Sequence, residues 1–493
     1  MESAPRSSPD VFIIVLDCVS ADALASLRAD ANDLPNIHSF MQESVSFENA
    51  AASAPWTIPS HASIFMGLHP WNHGLYSRGP HTLAATRPTL AEVLSRGGYR
   101  TFSLSGNPFI SPVTGLTRGF DTSYWGSWLD LYSRSLPLPK SPPSGSRAGI
   151  IGVDGEHPGP RVPRRVTQVM ARFPLLPDLS MRLGGMLFHR RREPRNLLSP
   201  WIEPTLHRVL SETAPNVPVF GFINLLDAHE PYLGIDLGRI PARNYLRLLS
   251  TRQDKAGWVS GQWVPDKNQL ARLEQLYHAS LRTLDHRVGR ILTTLQEFGR
   301  LNNTMIVMTS DHGQGFTPNA TLYHSIGIED ELLRVPLLIR FPGKLHAGKV
   351  VRSWASLVDI MPSILSEANL PPVDGLDGQG LRGLISSDRP EPVFAMSDGL
   401  GEADRRWVTG ERSALLDRFG IVAFLPKARV EVRFEVTHPS SAAPSVISAN
   451  GSVPPQALQN ATDEIIRIRS VLHDQMTRSD ASVHERLAGW GYD

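Results

Sequence analysis

Three apolar runs, each closing on an aspartate, set the terms for the fold. VFIIVLD (11–17), PVFGFINLLD (218–227) and TMIVMTSD (304–311) are short, rich in β-branched and aromatic residues, and end at Asp17, Asp227 and Asp311. Continuous apolar runs of this length predict strands covered on both faces. TFSLSGN (101–107) and RVPLLIRF (334–341) read as two more strands. A helical pattern fills 268–298, with Leu273, Leu276, Tyr277, Leu281, Leu284, Val288, Leu292 and Leu295 spaced by three and four, and Gly299 ends it. LAEVLSRGG (90–98) reads as the end of another helix. Strands alternating with helices predict an α/β fold, a three-layer α/β/α arrangement around a large, mainly parallel mixed sheet. Ligands bind beyond the carboxyl ends of such strands, where the aspartates stand.

Texture divides the chain. Residues 1–375 are expected to form the main domain, with an insertion or lid at 134–200 that is rich in Pro, Gly, Ser and Arg. Residues 376–493 are expected to form a small α+β subdomain, from the alternating run ARVEVRFEVTH (428–438) and a helix near 456–474. Lys+Arg number 49 against 48 Asp+Glu, a net charge of +1, which leaves no electrostatic footprint for nucleic acid. The Arg runs RVPRR (161–165) and HRRREPR (189–195) read as solvated surface. A single cysteine, Cys18, excludes a disulfide framework and a Cys-rich zinc site. No apolar run approaches the ~18 residues of a membrane span, and MESAPRSSPDVFIIVLD lacks the pattern of a secretory signal. A cytoplasmic location is the expectation.

Four segments carry polar residues suited to chemistry. Asp17 closes a rigid strand, as a hard-cation ligand must, although a strand-end Asp can also cap a helix. In APWTIPSHASIFMGLHPWNHG (54–74), Pro55 and Pro59 bracket Thr57 and a helix-like run begins at Ser60. Thr57 therefore lies near a helix N-terminus, where unpaired N–H groups and the dipole favour an anion, unless it merely caps that helix. Its hydroxyl becomes a useful nucleophile only when a base or metal lowers its pKa. Asp311 and His312, followed by Gly313 for a tight turn, can offer an oxygen and a nitrogen to one ion. His229, in INLLDAHEPY (223–232), can donate a proton to a leaving group or serve as a hydrogen-bonded loop histidine. Cys18 reads as a small buried hydrophobe.

Together these segments resemble the sulfatase family of the alkaline phosphatase superfamily, from about residue 9 to 380. Asp17 resembles that family's first metal ligand, and MTSDHG its later metal-binding strand end. TIPSHASIFMG is similar to its nucleophile signature of Cys or Ser, any residue, Pro, a Ser-like residue and Arg. HSIGIEDELLRVPLLIRFPGK (324–344) resembles a segment opening on an active-site His, and SLVDIMPSIL (356–365) the helix that follows. The departures carry the functional message. Thr57 stands where sulfatases oxidise Cys or Ser to formylglycine, and Thr cannot give that aldehyde. His61 stands in the place of Arg and can supply part of its charge when protonated. Cys18 replaces a second Asp, and His312 an Asn. This set resembles relatives with an unmodified Thr, among them phosphodiesterases, nucleotide pyrophosphatases and phosphoglycerol transferases. DAHEP lacks the Asp-x-x-x-His spacing of two-zinc relatives, so the resemblance implies one metal.

What the resemblance implies is a metal-dependent ester hydrolase without formylglycine. One divalent ion, Mn²⁺, Mg²⁺, Ca²⁺ or Zn²⁺, is expected on Asp17, Thr57, Asp311 and His312. Thr57 Oγ is expected to attack phosphorus or sulfur, with Asn107 and His61 binding the substrate and His229 or His324 protonating the leaving oxygen. Phosphodiester-type esters are favoured over sulfates. A transferase passing the adduct to an alcohol and a non-catalytic anion-binding relative are the alternatives. The expected partner is a small-molecule, glycan or lipid ester; a homo-oligomer is compatible with the sequence.

Overall fold

The computed structural model describes residues 8–28, 33–76, 82–126, 199–232, 247–248, 250–317, 321–389, 391–397, 418–425, 428–435, 445–450 and 455–476. Apart from residues 199–200, the expected insertion at 134–200 lies outside them. Strands β1 (Asp10–Leu16), β2 (Val45–Phe47), β3 (Arg100–Ser105), β4 (Thr122–Trp125), β5 (Val219–Leu225), β6 (Thr304–Thr309), β7 (Leu337–Arg340) and β8 (Val350–Val351) form one sheet. Their order is β8-β2-β7-β6-β1-β5-β3-β4. Every adjacent pair is parallel except the two made by β7, which is antiparallel to β6 and β2. Among the described residues between β6 and β7, the elements are the short Gly315–Thr317, Thr321–Tyr323 and Asp330–Leu333. Without a crossover helix, the chain returns in the opposite direction.

Side chains of β1 alternate between two cores. Val11, Ile13 and Val15 pack with Ile58, Ala62 and Phe65 of helix α1 (Thr57–Met66). Phe12, Ile14 and Leu16 pack with Leu206 and Val209 of α2 (Ile202–Ser211) and with Leu276, Leu284, Val288 and Ile291 of α3 (Lys267–Glu297). Both faces of the sheet are therefore covered, which makes the three layers and explains runs that are apolar throughout. Full burial of each such side chain contributes about 1.5–3 kcal/mol. A capping box at Asp266 and Gln269 starts α3, and Gly299, at φ 64°, follows its end.

A second, antiparallel sheet joins β9 (Val393–Ser397), β10 (Arg418–Leu425), β11 (Ala428–Glu435) and β12 (Ser445–Asn450). Phe394 and Met396 meet Ala461, Ile465 and Ile468 of α4 (Pro455–Met476), while Val393 and Ala395 meet Ile328, Leu332 and Leu333. The Met396 N–H donates to the Ser53 carbonyl at 3.0 Å, which ties this sheet to the chain just ahead of α1. No helix among the described residues is long and apolar enough to cross a membrane.

His73 locks α1 in place. Its Nδ1 accepts from the Leu75 N–H at 3.1 Å, and its Nε2 lies 3.2 Å from the Pro59 carbonyl and from Ser63 Oγ. A second ring proton would land on Nδ1 and break the first bond. Burial pushes its pKa down from 6.5 to about 3. The unfolded chain therefore binds this proton first. The stability contribution is complete above pH 6.5 and falls as pH drops toward the folded value, by roughly a few kcal/mol. Gln at 73 can keep one donor and one acceptor without titrating. His73→Gln is expected to narrow the Tm difference between pH 8 and pH 5; an unchanged difference in a pH series of melts would refute the assignment.

Candidate active site and metal centre

The register explains why some strand-end residues meet and others do not. β1 pairs with β6 so that Val15 faces Thr309, and with β5 so that Val15 faces Asn224. Two more residues on each strand bring Asp17 level with Asp311. Asn224 lies on the same face of the pleat, because side chains alternate. Asp227 falls on the other face, where it pairs with Arg287 at 2.8 Å and Glu203 joins the same guanidinium at 3.1 Å. Three strand-end aspartates read alike in sequence; two belong to the site and Asp227 holds α3 to the sheet.

Asp17 Oδ2 accepts from Asn107 Nδ2 at 3.0 Å and from Asn224 Nδ2 at 3.1 Å. Asn107 Nδ2 also lies 3.1 Å from Thr57 Oγ1, so one amide joins the strand-end carboxylate to the hydroxyl. Thr57 is the first residue of α1, and Trp56, extended at φ −159°, turns the chain into it. His312 Nε2 lies 3.3 Å from Asp311 Oδ2 and 3.9 Å from Asp17 Oδ1. His312 Nδ1 donates to the Gly313 carbonyl at 3.0 Å, which leaves the Nε2 lone pair facing the two carboxylates. The turn needs glycine at 313 for close approach: a Cβ there would sit 2.0 Å from the Glu331 carbonyl oxygen. The loops after β1 and β6 are stitched by Val19 N–H to Ser310 Oγ at 2.9 Å and by Cys18 N–H to Asp311 Oδ1 at 3.4 Å.

The histidines form a row beside this group. His324 stacks on His312 with centroids 4.6 Å apart and meets His229 edge-on at 4.7 Å. Glu230 Oε2 lies 3.2 Å from His324 Nδ1 and accepts from Gln314 Nε2 at 3.0 Å. Asn224, Glu230 and Gln314 were not among the residues expected from sequence. Asn224 had a signal, a lone polar residue inside the apolar run FINLL; Glu230 and Gln314 had none.

Burial dominates the electrostatics. It pushes His61 and His324 down to about 4, and His312 well below its ordinary value. Burial also raises Asp17, but the histidines at 229, 312 and 61 and the Asn107 amide outweigh it and hold the carboxyl below its usual range. Asp311 goes well above that range, through burial first and the neighbouring Asp17 charge second. The expectation that His61 replaces an arginine charge is corrected. It is fully buried, and its Nδ1 donates to the Thr57 carbonyl at 2.9 Å. At physiological pH it is a neutral brace between α1 and the strand ends, with Nδ1 also 3.5 Å from Asp311 Oδ2 and Nε2 3.5 Å from Asn224 Nδ2.

The family model described as Sulfatase matches residues 9–147 and 208–370, more than half of the chain. The chain belongs to the sulfatase family. An arylsulfatase of Clostridium perfringens is 25% identical over 409 residues, 76% of this chain and 78% of that protein. A multifunctional alkaline phosphatase superfamily protein of Trinickia caryophylli is 23% identical over 414 residues, 77% of this chain and 78% of that protein. The solved phosphonate monoester hydrolase of Agrobacterium radiobacter superposes with a TM-score of 0.58 at 19% identity, over 94% of this chain and 95% of that one. That likeness concerns the fold.

Sulfatase-family proteins typically depend on a metal ion, and this chain's donors suit one. Asp311 Oδ2 and His312 Nε2 are buried without a hydrogen-bond partner, an arrangement that costs free energy unless a cation joins them. Their 3.3 Å separation matches two ligand atoms on one ion with bonds of about 2.1 Å. His312 Nε2 lies between the two expected carboxylates. The donors that fall within 4.8 Å of one another are Asp17, Cys18 and His312, so the thiol that was expected only to pack joins this group. Thr57 reaches it through Asn107.

Proposed function

We propose that this sulfatase-family chain is a metal-dependent ester hydrolase that cleaves phosphodiesters or phosphonate monoesters through a covalent Thr57 intermediate, without formylglycine. The observation that carries the reading is the Asp17–Asn107–Thr57 chain of hydrogen bonds at the N-terminus of α1. A divalent ion on Asp17, Asp311 and His312 would supply Lewis-acid polarisation of an ester oxygen and favour ionisation of a nearby hydroxyl. Asn107 fixes Thr57 Oγ1 for in-line attack and disperses charge as the oxygen ionises. The N-terminal end of α1 favours an anion through the helix dipole. Of its first turn, Pro59 has no N–H and the Ser60 N–H donates to the Trp56 carbonyl at 3.4 Å, so Thr57 and Ile58 would supply the N–H groups. The proton donor to the leaving oxygen is His229 or His324; burial holds His324 at about 4, which counts against it in that role at pH 7. His324, with its Nδ1 proton held between Glu230 Oε2 and Gln314 Oε1, braces the histidine row beside the leaving group. The fold is shared with a structure named a phosphonate monoester hydrolase, while the Clostridium perfringens relative is named an arylsulfatase, so the choice of phosphorus rests on the Thr57 chemistry.

The chemistry of a single hydroxyl favours phosphorus. Formylglycine hydrate has a second hydroxyl, through which a sulfated adduct collapses by elimination; a Thr57 adduct must be opened by attack at its central atom. On matched aryl phosphodiester, aryl phosphonate and aryl sulfate substrates with Mn²⁺, Mg²⁺ or Zn²⁺, kcat/KM for the phosphorus esters is expected to lead by tenfold or more, about 1.4 kcal/mol. Peptide mass spectrometry over residues 54–74 should find an unmodified threonine. A tenfold sulfate preference would overturn this reading.

A further inference from the structure

Cys18 has a positive φ of 65°, unusual for a side chain with a Cβ, and this turns its thiol away from the β1 ladder into the site. Tyr277 of α3 secures the turn, its hydroxyl donating to the Cys18 carbonyl at 2.8 Å. The thiol stands between two donor groups: with Asp17 and His312 on one side, and on the other with three side chains, His229, Glu230 and His324, that are not among the expected metal ligands. Cys18 Sγ, one Glu230 oxygen and one ring nitrogen each from His229 and His324 all lie within 4.8 Å of one another. The individual separations are 3.6 Å from Cys18 Sγ to His324 Nδ1 and 3.2 Å from that nitrogen to Glu230 Oε2. His229 Nδ1 donates to the Glu230 carbonyl, so Nε2 is the ring nitrogen of His229 whose lone pair would bind an ion. Zinc bonds to nitrogen, oxygen and sulfur are about 2.0–2.3 Å, and a tetrahedron with such bonds has edges of about 3.3–3.8 Å.

We propose that Cys18, His229, Glu230 and His324 form a second metal site, for a zinc-type divalent cation, beside the Asp17–Asp311–His312 group. The donor set is one sulfur, two nitrogens and one oxygen. A thiolate selects a borderline-soft ion over Mg²⁺, Ca²⁺ or Mn²⁺. The surroundings already orient the donors. Gln314 Nε2 donates to Glu230 Oε2 at 3.0 Å and Lys255 Nζ lies 3.7 Å from Oε1, which positions the carboxylate. Without metal, the proton on His324 Nδ1 serves both Glu230 Oε2 and Gln314 Oε1, the latter 3.1 Å away. The ion takes the place of that proton and of the thiol proton, which now points toward Asp17 Oδ1 at 3.4 Å. The imidazole proton moves to His324 Nε2 by a change of tautomer, so the ligand stays neutral, and the thiol proton leaves to solvent. Asp17 and Cys18, adjacent in sequence, then form the wall between two ions. This deepens the proposed reaction and rests on its metal-assisted character: His229 and His324 would then serve as ligands, and the second ion would supply the charge neutralisation at the leaving oxygen that is otherwise assigned to a proton.

The test counts metal in the purified full chain after chelator stripping and reloading. Wild type is expected to hold two equivalents of Zn²⁺ by plasma mass spectrometry but one of Mn²⁺. Cys18→Ala and Glu230→Gln should hold one Zn²⁺, and Asp311→Asn should keep one. With Co²⁺, wild type and Asp311→Asn should show a thiolate-to-cobalt charge-transfer band in the near ultraviolet, and Cys18→Ala should not. One zinc per wild-type chain, or a Co²⁺ spectrum without that band, overturns the proposal even where a variant fails to fold. The outcome separates from that of the ester reading. Phosphodiester turnover by a one-metal chain would sink the second site alone. Two zinc ions with no turnover on any phosphorus ester would sink the hydrolase reading alone.

Discussion

Thr57→Ala is expected to lower kcat on a phosphorus ester by about 10³-fold or more while leaving metal content and Tm near those of the wild type. The separation of effects follows from what Thr57 touches. Its side chain does not cap α1; the cap residue is Trp56, which makes no side-chain cap bond. Alanine is the better helix former, so the start of α1 loses nothing in propensity. The one contact removed is the Asn107 Nδ2 bond at 3.1 Å, and that amide keeps its bond to Asp17 at 3.0 Å. Stability should therefore change by no more than about 1 kcal/mol. Thr57→Ser keeps the hydroxyl and should recover part of the rate. Single-turnover assays with an aryl leaving group measure the loss. Wild-type turnover in the alanine variant would show that the covalent route does not exist, and the site would then have to activate water directly.

The long elements were legible because they obey simple periods. β1, β5 and β6 are apolar throughout because helices cover both faces, and α3 keeps an apolar stripe over its full length. The antiparallel course of β7 was not legible, since its sequence is as apolar as that of its parallel neighbours. In the site, Asp17, Asp311 and His312 could be found because each directly follows a buried strand. Asn224 and Glu230 could not be assigned, because their meaning depends on partners about two hundred and about a hundred residues away. His61 was misread for a physical reason. Its position in the motif suggested a cation, but total burial withholds the second proton, and sequence does not report burial at a single position. Cys18 shows the same limit from the other side. One cysteine excludes a Cys-rich site, yet a single thiol completes a mixed donor set when the fold brings two histidines and a glutamate to it.

Asp311→Asn should abolish metal-dependent turnover and yet make the metal-free protein more stable, an outcome opposite in sign for function and fold. Asp311 and Asp17 are buried side by side, and the pair without a cation stores repulsion. The folded-state pKa of Asp311 is raised above its unfolded value. Its contribution is therefore favourable at low pH, where the carboxyl is protonated, and is lost as pH rises through the folded value. At pH 8, far above the ordinary carboxylate value, the cost of keeping this carboxyl buried beside Asp17 falls on the metal-free fold. Asparagine keeps the shape, and its oxygen can still accept from His312 N–H at 3.0 Å and Cys18 N–H at 3.4 Å. Its amide nitrogen takes the place of Oδ2 and can donate to His312 Nε2 across 3.3 Å. The metal-free variant is expected to melt above the metal-free wild type at pH 8, with the gap closing as pH falls. With metal the order should reverse, because an ion at a hundred times its Kd adds about 2.7 kcal/mol to the wild type that the variant cannot gain. Turnover should fall by about 10³-fold or more, since both the ion and the charge it neutralises are lost. Paired melts with and without Mn²⁺ at pH 6 and 8 decide the matter. A metal-free variant less stable than metal-free wild type at pH 8 would mean that Asp311 is held by protein contacts and not reserved for a cation.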